Sequence, residues 1–168
     1  PRHGGARRVA ELVRGLKETA DLALVSDEAA LYDARSFADF AGLVDVRLVQ
    51  RRDRAAPPAT HGTRARDHCH PALVAALRAA VRDTDPDAIV VQHAELAPLV
   101  AERAERTRWI LDLHDAYARG DFAGDAEYEA FARDVARYDA VTVCSAEDAA
   151  LVAHPRVTIV ANGAQTHA

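Results

Sequence analysis

The chain has 168 residues, 49% of them hydrophobic, 28% charged and 5% aromatic, with a formal net charge of −5. That length and apolar content suit one domain with a sizeable core of Val, Leu, Ile and Ala, and exclude bulk disorder. The acidic balance argues against a nucleic-acid partner, and no apolar run approaches the ~20 residues of a transmembrane segment. Two cysteines, Cys69 and Cys144, make no disulfide framework, so a cytoplasmic location is expected.

The chain opens on Pro1-Arg2-His3-Gly4-Gly5, with no charged-then-apolar leader. Val9, Leu12, Val13 and Leu16 recur at 3.6-residue spacing and predict a helix over about Ala6 to Glu18. The run Leu22 to Ser26 predicts a buried strand. A helix is expected over about Glu28 to Phe40, and Val44 to Val49 alternates like a strand with one exposed face. Residues 51–67 are polar, contain Pro57, Pro58 and Gly62, and read as a long internal loop. Pro71 starts a helix whose buried face is Leu73, Val74, Leu77 and Val81.

Asp85-Pro86-Asp87 ends that helix, and Ala88 to Val91 reads as a strand buried on both faces. The pattern continues with a helix near Glu95 to Arg106, a strand at Trp109 to Leu113, and a loop from His114 to about Gly124. A helix over about Ala126 to Arg137, a strand at Ala140 to Val143, a short helix over Ala146 to Val152 and a strand at Val157 to Val160 complete it. Strands separated by helices of this length require βαβ crossovers, hence a mostly parallel α/β sheet with helices on both faces, of Rossmann-like type.

Ligands of open α/β sheets bind outside the carboxyl ends of the strands. The polar residues there are Ser26, Gln92-His93, His114-Asp115, Ser145 and Asn162-Gly163. Gly4-Gly5, just before the first helix, is either a flexible terminus or a phosphate-approach loop, with Arg7 and Arg8 adding positive charge. His114 is either a rim histidine or a group that orients a sugar hydroxyl and takes its proton, supported by Asp115. His93 has the same two readings. His61, His68, Cys69 and His70 include zinc-ligand types without the usual spacing, and no metal is expected. Glu127 and Glu129 read as solvated surface, and Cys144 as a buried strand-end thiol.

Taken in order, these segments resemble the N-terminal domain of GT-B glycosyltransferases, in particular the retaining family 4 type. Pro1 to Arg8 is similar to a P-x-x-G-G-x-x-R loop, and Asp87 to His93 to a strand ending in His. Ile110 to Asp115 resembles a strand ending in His-Asp, Tyr138 to Asp148 a "D-x-v-x-v-S-e-x-d" segment, and Val157 to Ala164 a strand ending in Asn-Gly. The resemblance implies a hexosyltransferase that takes a nucleoside-diphosphate sugar as donor and uses no bound cofactor. His114 and Asp115 are its expected catalytic residues, and Gly4, Gly5, Arg8, His93 and Ser145 the substrate- and phosphate-binding ones.

The resemblance implies a first strand ahead of Gly4 and a C-terminal donor domain with an E-x7-E motif, and neither is read within residues 1–168. Ala161 and Gln165 stand where Pro and Asp are common. The expectation is therefore an acceptor-binding domain, 1–168, that is inactive alone and partners a sugar or glycan acceptor and a donor domain. Two alternatives stay open. One is a non-catalytic α/β binding or assembly module that forms a homo-oligomer by strand exchange, and the other is a different Rossmann-like binder such as a nucleotide-sugar epimerase fragment.

Overall fold

A computed structural model describes residues 4–27, 40–50 and 60–161. The chain divides into two compact units, Pro1–Ala59 with Arg66–Pro86, and Thr60–Ala65 with Asp87–Ala168. Both hold parallel strands flanked by helices, a mixed α/β architecture of generic Rossmann-like kind.

The first unit begins with helix α1, Gly4–Leu16. Its amphipathic spacing is the one expected, but the helix takes in Gly4 and Gly5, which were read as a loop. Strands β1, Ala23–Ser26, and β2, Asp45–Leu48, pair in parallel with Ala23 opposite Asp45. Gly42, at φ 89°, makes the turn that leads into β2, a conformation that excludes most side chains. The helix expected over Glu28 to Phe40 lies, apart from Phe40, outside the described residues.

Helix α2 spans His61–His68, inside the segment read as a loop. Composition hid it, since only Ala65 among its residues is an apolar core former. Its start is fixed by chemistry instead: Thr60 Oγ1 accepts the amide of Thr63 as a cap, and Glu127 Oε1 accepts the amide of Gly62. Helix α3, Pro71–Thr84, starts on proline as expected and buries Leu73, Leu77 and Ala80. It packs on β1 and β2, and Arg47 of β2 pairs with its Asp83 at 2.8 Å. Asp85 ends the helix in the left-handed region, at φ 42°, with its amide on Val81 O.

The second unit is a four-stranded parallel sheet in sequence order. Its strands are β3, Ala88–Gln92; β4, Arg108–Leu113; β5, Ala140–Val143; and β6, Val157–Ile159. One face supplies the core: Trp109, Leu111, Leu113, Val141 and Val143 are each 1% exposed or less. Strand β3 was expected to be buried on both faces, yet Val90 is 45% exposed while Val91 is 4% exposed. As the end strand of this sheet it has β4 as its one neighbour among the described residues.

After β3, residues Ala94–Glu102 form a 3-10 helix, where a longer α-helix to Arg106 was expected. Pro98 lies inside it, and its missing N–H and its ring disfavour α-helical bonding at that point. Helices α4, Asp125–Val135, and α5, Ala146–Leu151, fall where the apolar spacing predicts them. Asp139 locks the start of β5 to β4: its carboxylate accepts the Trp109 amide at 2.7 Å and pairs with Arg103 at 2.6 Å.

Candidate functional site

Side chains alternate across a strand, so Trp109, Leu111 and Leu113 share one face of β4, and Ile110, Asp112 and His114 the other. The register sets Gln92 beside Asp112 and Asp112 beside Thr142. A polar row therefore crosses three strands at their carboxyl ends, on the face opposite the main core. Asp112 is only 1% exposed. Its Oδ1 accepts the Thr142 hydroxyl, and its Oδ2 lies 3.5 Å from His114 Nε2.

His114, 8% exposed, continues beyond β4 above this row. Its Nε2 also lies 2.6 Å from Gln92 Oε1, while its Nδ1 is buried and has no hydrogen-bond partner among the described residues. The ring of His93 rests against that of His114, with centroids 3.9 Å apart. His93 takes φ 72° and ψ 147°, backbone that a side-chain-bearing residue adopts at a cost of about 1–3 kcal/mol. Its amide donates to Asp112 O at 3.0 Å, which holds it there. Two imidazoles, an amide and a buried carboxylate thus converge on one strand-end rim.

The expected supporting residue, Asp115, is exposed and makes no hydrogen bond or ion pair among the described residues. The carboxylate beside His114 is Asp112 instead. Ser145 caps α5: its Oγ accepts the Asp148 amide at 3.0 Å and donates to Asp148 Oδ2 at 2.8 Å. Asp148 Oδ1 in turn accepts the Ala116 amide at 3.2 Å, which ties the segment after His114 to α5. Ser145 therefore serves that segment's position. Cys144 is partly exposed, and its thiol approaches Leu113 O at 3.7 Å.

A second network lies under the same segment. Tyr117 donates its hydroxyl to Glu95 Oε1 at 2.8 Å, and Arg64 pairs with the same oxygen at 3.1 Å. Burial pushes the Glu95 carboxyl up, but the Tyr117 hydroxyl, its own backbone N–H, Arg64 and His61 outweigh it and hold it below the usual range. Burial, with help from Glu95, pushes Tyr117 up to about 12. His61, 3% exposed, sits among the rings of Tyr117, Phe122 and Phe131. Glu127, read as solvated, accepts bonds from the Gly62 and Ala123 amides and the Thr60 hydroxyl.

The remaining expected residues fall in the first unit or outside the description. Gly4 and Gly5 form the first turn of α1, and Arg8 lies in the same helix at 8% exposure. Asp27, which follows β1 and is 4% exposed, pairs with His68 Nδ1 at 2.9 Å. His61 and His68, grouped in the sequence, are divided between the two units. Asn162 and Gly163 lie outside the described residues.

The sequence reading thus reached His93 and His114 but missed Asp112 and Thr142 as their supports. A signal existed: a lone Asp inside the apolar run of β4, two residues before His114, must share that histidine's face. Among the described residues no helix is long and apolar enough to cross a membrane. Comparison with known protein families and with curated proteins finds no match for this chain.

Proposed function

We propose that the chain is the acceptor-side domain of a GT-B-type, retaining glycosyltransferase, working with a second α/β domain that binds most of the nucleotide sugar. The observation that carries this reading is His114: a buried imidazole at the carboxyl end of a parallel strand, held through Nε2 and packed against His93. That is where an open α/β sheet receives its ligand. Hydroxyl groups of a sugar or glycan acceptor would meet His114, His93 and the exposed Asp115 carboxylate there, a set able to accept hydroxyl protons. Ser145 would hold the loop that follows His114. Cys69 and Cys144 form no disulfide among the described residues, which suits a cytoplasmic setting.

Titration of the isotopically labelled chain with simple hexoses, and separately with nucleoside diphosphates, tests the proposal by NMR. Hexoses should shift the ring signals of His93 and His114 at millimolar concentration, and nucleotides should leave them in place. Tight nucleotide binding, or sugar transfer by this chain alone, overturns the acceptor-side assignment.

A second reading, a module that assembles by strand addition, is favoured by β3. That strand has one neighbour among the described residues and carries a Val90 that is 45% exposed. Native mass spectrometry decides it: a monomer at high concentration removes this reading.

A further inference from the structure

We propose that Asp112 and Gln92, rather than the adjacent Asp115, are the positioning residues of His114, holding its Nε2 proton so that Nδ1 is the basic atom of the ring. The proposal deepens the function proposed above, since it names the atom that would take a hydroxyl proton, but its test reads the chain without substrate.

The argument begins with cost. A carboxylate as buried as Asp112 gives up its hydration, a loss that only hydrogen bonds within the protein make good. Valine or leucine would fill a strand position at no such cost, as Leu111 and Leu113 do on the other face. The carboxylate is nevertheless received by a built environment. The parallel register brings Thr142 alongside, and its hydroxyl donates to Oδ1. Oδ2 is turned toward His114 Nε2.

Polarity then fixes the proton. Gln92 Oε1 at 2.6 Å and Asp112 Oδ2 at 3.5 Å are both acceptors, so the nitrogen between them donates. A neutral imidazole has one N–H, so Nδ1 carries the lone pair. Consistently, Nδ1 is the ring atom without a partner among the described residues, in a side chain 5% exposed. Asp115 does not fill this role, because it is exposed and makes no hydrogen bond or ion pair to the ring among the described residues. His114 is thus pinned from below at one nitrogen, and a ligand hydroxyl would be met at the other once the His93 ring that rests against it gives way.

Long-range 1H–15N spectra of the 15N-histidine-labelled chain read the tautomer directly. The wild type is expected to show a protonated Nε2 that exchanges slowly with water, and an unprotonated Nδ1. Gln92→Leu and Asp112→Asn should each speed that exchange at least tenfold, and together they should mix the two tautomers. Asp115→Asn should leave the ring signals unchanged. Gln92→Glu restores an acceptor at Nε2 and serves where Asp112→Asn does not fold, and it should keep the wild-type tautomer. A proton on Nδ1 in the wild type overturns the proposal. So does unaltered Nε2 protection in Gln92→Leu and Asp112→Asn, or an effect of Asp115→Asn as large as theirs. Loss of sugar binding with the tautomer intact would instead refute the proposed function alone.

Discussion

Replacing His61 by phenylalanine should flatten the acid side of the stability profile. The wild-type ring is 3% exposed and lies 5.5, 4.9 and 5.0 Å from the rings of Tyr117, Phe122 and Phe131. Its Nε2 has no hydrogen-bond partner among the described residues. Burial pushes its imidazole below the ordinary 6.5, Arg64 acts in the same direction, and Glu95 and Glu127 act against it. Asp134, which burial holds above the usual carboxylate range, also faces it. Below pH 6.5 the unfolded chain therefore binds a proton that the folded chain refuses. Stability is fully present above that pH and falls as the pH drops toward the folded-state value, by up to about 1.4 kcal/mol per pH unit.

Phenylalanine removes the titration, keeps a ring in the cluster and removes a buried nitrogen that has no partner among the described residues. Near neutral pH the two proteins should therefore differ by no more than about 1 kcal/mol. Glu95, Glu127 and Asp139 are held below their usual values, so their contributions are lost only at lower pH. Asp134 is raised instead and is present in both proteins, so it is the difference between their slopes from about pH 5 to 6.5 that reports on the histidine. Urea unfolding followed by the fluorescence of Trp109, the single tryptophan and 1% exposed, reports on the unit that contains His61. An unchanged slope of stability against pH in His61→Phe refutes the argument.

Ser145→Ala removes the cap of α5 and should cost about 1 kcal/mol in urea unfolding, with Ser145→Thr recovering most of it. Tyr138→Phe strands the Ala97 carbonyl, which now accepts the Tyr138 hydroxyl at 2.9 Å in a buried site, and should cost about 1–2 kcal/mol by the same measurement. Gly62→Ala places a methyl group against the Glu127 carboxylate and should displace it from the amides of Gly62 and Ala123. The two changes act on one contact, so Gly62→Ala with Glu127→Ala should cost clearly less than the sum of the single changes, and strict additivity would refute the shared contact.

Helices and strands that bury a regular apolar stripe were legible because the stripe reports on local geometry. Leu73 and Leu77 marked α3, and the runs Trp109 to Leu113 and Ala140 to Val143 marked the central strands. Elements fixed by polar contacts were not legible. Helix α2 depends on a threonine cap and a carboxylate 65 residues away from Gly62, and neither leaves a periodic trace. Pro98 was visible but was not given its consequence, and the helix around it tightened to 3-10 geometry.

By itself the sequence determined the order of the strands, the parallel α/β class and the strand-end placement of His93 and His114, since alternation and turn residues act over a few positions. Only the tertiary structure decided which groups touch those histidines. The register of β3, β4 and β5 gathers Gln92, Asp112 and Thr142 from three separate segments, and it sets the Asp112 carboxylate beside His114. The reason is physical: a strand's own period fixes which face a residue takes, whereas its cross-strand neighbour depends on pairing between distant segments.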